Sequence, residues 1–215
     1  MPITNITTAN QTTDTTNPIT CDIVITDGAG NNRKVVVFIT EERSPTQTTV
    51  PTLNGVSGVL VDTVTGGSTI RTSLFEWNDV NLPSTSGTYT VSWAVASVDA
   101  ALSVLSCSGA KQLPCASPRD AGGTSALTLS YTLIADAGSL ALIGLTDSGA
   151  SATLTPGANQ VAILAPTSTG SATHATSYNA TNLTVSYTRG AANTYAVVAA
   201  AIEPYYDIPI GWTGV

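Results

Sequence analysis

The stretch GTYTVSWAV, residues 87–95, limits what this chain can fold into more than any other. Tyr89, Val91, Trp93 and Val95 take alternate positions, with Thr88, Thr90, Ser92 and Ala94 between them. A period of two puts one apolar row on a core face and small polar groups on the other, the pattern of a half-buried strand. Just before it, TIRTSLFEW (69–77) reads as another strand. The loop NDVNLPSTSG that joins the two carries the turn formers Pro83 and Gly87.

The same alternation returns at Leu127, Leu129, Tyr131 and Leu133, and again at Leu183, Val185 and Tyr187. KVVVFITEE (34–42) differs. Its apolar run from Val35 to Ile39 is continuous, which predicts burial on both faces. Asn54-Gly55 is a hairpin-turn signal. Further strands are expected at CDIVIT (21–26), AALSVLSC (100–107), NQVAILAP (159–166) and THATSYNA (173–180). GSLALIGL (138–145) is expected to pair with the strand before it across Asp136–Gly138. The Ala-rich run TYAVVAAAIEP (194–204) could be helical by composition. Its β-branched residues, and a hairpin-like turn at 190–193, favour a strand. SGAKQLPCASPRDAGGT (108–124) reads as a long irregular loop. No fixed-period internal repeat is visible, which disfavours a solenoid or propeller. About eleven or twelve strands with no convincing helix predict an all-β fold, an antiparallel β-sandwich of jelly-roll type.

The expected organisation is an extended Thr/Asn-rich arm (1–17), one sandwich (18–204) and an aromatic tail (205–215). The arm carries too little apolar surface to pack by itself. The tail concentrates Tyr205, Tyr206, Ile208, Ile210 and Trp212, which need a place to bury their rings. They fold back on their own domain or dock on another subunit, so they are candidate assembly-interface residues.

Charged residues are only 10% of the chain, and the net charge is −7 with no basic run. Phosphate neutralisation needs clustered Lys and Arg, so nucleic acid is not an expected partner. The acidic balance also argues against anionic membrane surfaces. The N-terminus lacks the pattern of a signal peptide, and the longest apolar run, 195–202, is too short to span a bilayer as a helix. These features predict synthesis in a cytoplasm without an export signal. Cys21, Cys107 and Cys115 are too few for a disulfide framework. Cys107 and Cys115 could close a short loop, or all three could be ordinary reduced cysteines.

The order of features resembles a family of jelly-roll domains found in bacteriophage structural proteins and some bacterial surface proteins. The shared features begin with the Asn32-Arg33 step into Lys34-Val35-Val36-Val37. They continue through Thr49-Val50-Pro51-Thr52-Leu53-Asn54-Gly55-Val56, and then Leu74-Phe75-Glu76-Trp77 leading by way of Pro83 to Gly87-Thr88-Tyr89-Thr90-Val91. Ser108-Gly109 with Pro114, and the run from Ala199 to Pro204, complete the set. The resemblance spans roughly residues 30 to 204, and Pro51 departs from it. It implies decoration, fibre or tail roles in a virion, or attachment to surface glycans. It brings no catalytic residues.

Asp147-Ser148-Gly149 resembles an aspartic-protease turn, but such sites need two carboxylates sharing a proton and only one copy exists. His174 is the only histidine and no serine elbow accompanies it. Glu76, Asn78, Asp79 and Asn81 offer oxygen ligands to a hard cation without matching a known loop; Asp27 with Asn31 and Asn32 is a fainter version. Trp93 reads as core. Trp77, at a strand end, is the better candidate for exposure and for stacking on a sugar, with Asp79 beside it.

The sequence therefore predicts a non-enzymatic phage virion structural protein (decoration or cement, head-fibre or tail) acting through subunit assembly, with no cofactor. Its expected partners are further copies of itself, a trimer being one closed form, and other virion proteins; its expected location is a virion assembled in the host cytoplasm. The alternative is a carbohydrate-binding or adhesion module that contacts a surface glycan.

Overall fold

In the computed structural model the described residues are 2–13, 17–42, 49–94, 99–150, 152–169 and 171–206. They form an N-terminal set of strands, β1 (Thr4–Thr13), β2 (Ile19–Ile25), β3 (Lys34–Glu42), β4 (Thr52–Leu53), β5 (Val56–Ser57), β6 (Val59–Gly66), β7 (Ile70–Asn78), β8 (Gly87–Trp93) and β9 (Ala100–Ser108). A C-terminal set follows: β10 (Ala116–Gly123), β11 (Thr128–Thr132), β12 (Leu140–Asp147), β13 (Leu154–Pro156), β14 (Val161–Thr169), β15 (Ala172–Asn179), β16 (Thr184–Arg189) and β17 (Tyr195–Ile202). One 3-10 turn, Asp79–Asn81, is the only helical element among the described residues.

The strands make four antiparallel sheets stacked as four layers. The two inner sheets run β1-β9-β3-β7-β6 and β10-β17-β12-β15-β14, and the two outer sheets run β2-β8-β4-β5 and β11-β16-β13. Three apolar cores separate the layers. The first outer sheet and its inner neighbour enclose Ile19, Ile23, Val35, Phe75, Trp77, Val91 and Trp93. The two inner sheets meet over Val36, Phe38, Leu74, Leu142, Val198 and Ala200. The second inner sheet and its outer partner enclose Leu129, Ile143, Leu145, Val185 and Tyr187.

Layer position explains the patterns in the sequence. Inner strands are covered on both faces, so β12 and β17 are buried at every residue and β3 at all but its last. Outer strands face water on one side and alternate, as β2 does without a break. The continuous apolar run of β3 and the strand reading of 194–204 both agree with this arrangement. Asn54 and Gly55 sit at φ 49° and 82° in the β4–β5 hairpin, left-handed angles that favour these two residues. Val95 lies outside the described residues; Val91 and Trp93 are buried as the alternation requires.

The two halves have one topology. Replacing β1, β2, β3, β4, β6, β7, β8 and β9 by β10 to β17 in order turns the first pair of sheets into the second, with only β5 lacking a counterpart. The fold thus contains an internal duplication that no fixed-period repeat announced. Its trace in the sequence is brief: Thr90-Val91-Ser92-Trp93 on β8 and Thr184-Val185-Ser186-Tyr187 on β16. The two inner sheets face one another as the two copies of a symmetric dimer would.

Two expected hairpins fail for the same reason. β11 and β12 do not pair; β11 joins β16 in an outer sheet while β12 lies between β15 and β17. β16 and β17 likewise part into different sheets. In both cases an alternating strand is followed by one buried on both faces, and burial sends the two to different layers. The segment expected to be a long loop contains β10, an edge strand paired with β17. The Thr/Asn-rich arm forms β1, which pairs with β9 along most of its length.

Candidate functional site

The end of the stack where β3 begins and β7 ends gathers most of the polar side chains named above. Trp77 is not exposed. It lies on the face of β7 that packs against the first outer sheet, 1% accessible, and its indole N–H donates to the Val56 carbonyl at 2.9 Å. This corrects the expectation that Trp77 is presented for sugar stacking: adjacent residues of an inner strand face two different cores, so the strand end is not a surface. Trp93 is fully buried in the same core.

Asp79, in the 3-10 turn, acts as a pin. Its Oδ1 accepts from Arg33 Nε at 2.6 Å, and its Oδ2 accepts from the Gly30 backbone N–H at 3.0 Å. Arg33 is fully buried, and its Nη1 also donates to the Asp27 and Pro83 carbonyls. One guanidinium thereby ties the β2–β3 turn to the loop before β8. A charge taken from water needs such pairing, and Arg33 Nη2 also lies 2.6 Å from Asp79 Oδ1. Of the oxygen-ligand candidates, Asp79 is engaged with Arg33, and Glu76 with Lys34.

The sequence did not single out Lys34. Its ammonium, 1% accessible, donates to Glu76 Oε2 at 2.9 Å and to the Leu113 carbonyl at 2.6 Å. Glu76 Oε2 also accepts the Cys115 backbone N–H at 3.0 Å. The available signal was a lysine opening an otherwise apolar strand, where side chains on both faces are covered. Cys107 and Cys115 border this cluster as free, buried thiols, and Cys21 is also free. Burial pushes the Cys107 thiol up to about 12 and Cys21 up to about 11, so neither is a ready nucleophile.

The other end of the stack holds Asp147 and His174. Asp147 is fully buried; its Oδ2 accepts from Arg189 Nε at 2.7 Å and its Oδ1 from Gly149 N–H and Asn193 Nδ2. Arg189 donates further to the Ala126 and Asn193 carbonyls and lies over the Tyr195 ring. His174 is buried on β15, with Nε2 at 2.7 Å from Thr169 Oγ1; burial brings its pKa down to about 3. Both are interior polar groups rather than groups facing a cleft.

The tail begins against its own chain. Tyr205 N–H donates to the Gly109 carbonyl at 2.7 Å, and Tyr206, half exposed, donates its hydroxyl to the Ala137 carbonyl at 2.6 Å. Ile208, Ile210 and Trp212 lie outside the described residues. The exposed apolar side chains include Val56, Val59 and Leu60 along β5 and β6, Val80 in the 3-10 turn and Leu113. Val59 pairs with Glu76 and Leu113 caps Lys34, which places these two near one another at this end of the stack. No helix among the described residues is long and apolar enough to cross a membrane. No protein-family model, curated protein or solved structure matches this chain.

Proposed function

We propose that this chain is a non-enzymatic structural protein of a virion, assembled in the host cytoplasm, that works by binding further copies of itself and other virion proteins. The observation that carries the reading is the exposed apolar set Val56, Val59, Leu60, Val80 and Leu113 at the β5–β6 edge and the end of the stack beside it. β6 closes one margin of its sheet, and an apolar margin is a site for association. In contrast, the acid and base groups that could have served catalysis are held in internal pairs.

The N-terminal half is read as a jelly roll, and the C-terminal half as the same order without its fifth strand. Counting β1, β2, β3, β4, β5, β7, β8 and β9 as strands one to eight, the first pair of sheets runs 1-8-3-6 against 2-7-4-5, with β6 as an added edge. That order supports the resemblance to phage virion domains. The carbohydrate-binding alternative loses its motivating residue, because the Trp77 indole is inside a core.

Light scattering on the purified chain tests the reading. We expect an oligomer that dissociates in a Val59→Glu, Leu113→Glu double variant and weakens when residues 207–215 are removed. A monodisperse monomer at tens of micromolar would overturn assembly through this edge. Imaging the native particle would test the virion assignment directly.

A further inference from the structure

Lys34, Glu76 and Asn78 form a constellation that the assembly reading does not use. β3 and β7 are in register so that Lys34 stands directly opposite Asn78, and Glu76 stands opposite Val36. Alternation places Lys34, Val36, Leu74, Glu76 and Asn78 on the same side of the inner sheet, toward the core that holds Val36, Leu74, Cys107 and Cys115. Lys34 and Glu76 are almost completely buried and in contact at 2.9 Å. The Asn78 side-chain oxygen is buried and has no hydrogen-bond partner, and the side chain does not cap the 3-10 turn that follows it. An amide oxygen left without a partner inside a protein is costly, so its position calls for an explanation.

We propose that Lys34 and Asn78 are a self-processing pair that joins β3 to β7 through an intramolecular isopeptide bond, with Glu76 carrying the proton. Directly opposed residues have Cβ atoms about 4.5–5.5 Å apart, within reach of a four-carbon lysine stem. A proton passes from the Lys34 ammonium to the Glu76 carboxylate along their contact. The free amine attacks Cγ of Asn78. Protonated Glu76 supports the developing charge on the amide oxygen, delivers its proton to the departing nitrogen and takes up in exchange the proton that the attacking nitrogen must lose. One C–N bond forms, one C–N bond breaks, and the amide nitrogen of Asn78 leaves as ammonia. No oxidant, cofactor or second substrate is required. Burial favours the route because a neutral amine and a neutral acid need no solvation, and because water that could hydrolyse the product is excluded. The Leu113 carbonyl, 2.6 Å from Nζ, steadies the amine at this end of the strand.

Intact-mass measurement of the full-length protein is the test. The expected result is a deficit of about 17 Da, the mass of ammonia, with a branched peptide joining Lys34 to Asn78 after proteolysis. Lys34→Arg and Asn78→Ala should each have the full mass of their own sequence. Should one variant fail to fold, the other and the wild-type peptide map still decide the matter. Glu76→Gln should slow or abolish the loss. A wild-type protein at full mass after prolonged incubation overturns the proposal. So does a 17 Da loss confined to a cyclised Asn78-Asp79 step with Lys34 unmodified.

Discussion

The two halves of the molecule share a strand order but differ in what fills it. The core of the N-terminal half is bulky, with Phe75, Trp77, Trp93 and several isoleucines. Its C-terminal counterpart is built largely from Ala, Val and Leu, with Tyr187 following the Thr-Val-Ser run that Trp93 follows in the first half. The difference is sharpest between the inner sheets. Counting back three residues from Glu41 on β3 and from Asp147 on β12 makes Phe38 and Gly144 equivalent. A Cβ at Gly144 would overlap the Phe38 ring, so one half supplies a ring and the other the space for it. Two identical surfaces could not do this at one spot. Two phenylalanines would collide and two glycines would leave a void. Layer pattern preserves topology, while the side chains of the two copies are free to diverge into complements.

Several variants would break or sharpen this comparison. Gly144→Phe alone is expected to prevent folding or to cost well over 3 kcal/mol, because overpacking in a two-sided core has nowhere to relax. Phe38→Gly alone should cost about 4–5 kcal/mol. The double exchange, Phe38→Gly with Gly144→Phe, should recover at least about 2 kcal/mol of the combined loss in urea unfolding. If the effects simply add, the two positions are not complements.

Next in size is Arg189→Met, which strands the Asp147 carboxylate. Denaturant unfolding should register a loss of about 3–5 kcal/mol. Arg33→Met should cost less, since its partner Asp79 retains some contact with water at 11% side-chain accessibility. An equal loss at both sites would contradict the contrast drawn between them.

Acid sensitivity should belong to the C-terminal half. His174 occupies the β15 position that Thr72 occupies on β7, each pairing with a threonine of the central strand. Its folded pKa, about 3, lies below the ordinary value of 6.5. The unfolded chain therefore binds the proton more readily. Stability from this group is complete above pH 6.5 and is lost as pH falls from there toward 3. Unfolding at pH 4.5 should show about 2–3 kcal/mol less stability than at pH 8 from this residue, and His174→Gln should flatten that slope. The smallest effect expected is Trp93→Tyr, which imitates the C-terminal core and should cost about 1–2 kcal/mol, read as a lowered unfolding midpoint.

Much of the strand inventory was legible in the residues, because covalent geometry alone sends neighbouring side chains of a strand to opposite faces. β3 was readable down to its ends, and β17 was readable as a strand despite its alanines. The partners of β11 and β16 were not readable. A hairpin and a crossover between layers can share the same turn residues, and the choice depends on how many faces the following strand must bury. The candidate site was less legible. Trp77 and Asp79 look alike in sequence to a ligand-contacting pair. Their engagement inside the protein follows from β5 closing over the indole and from Arg33 reaching the carboxylate from far along the chain. Lys34 gave the opposite signal, a charged residue in a buried strand whose partner lies on the neighbouring strand.

The sequence by itself determined that this chain is antiparallel β, which strands have one apolar face and which have two, and where the tight turns fall. These are local consequences of side-chain alternation and backbone angles. Only the tertiary structure decided that the strands divide into two topologically equal halves and that their inner sheets share a core. It also decided that Lys34 pairs with Glu76 there and stands opposite Asn78. Those outcomes depend on pairing between strands distant along the chain, which burial of the inner faces selects and no local pattern encodes.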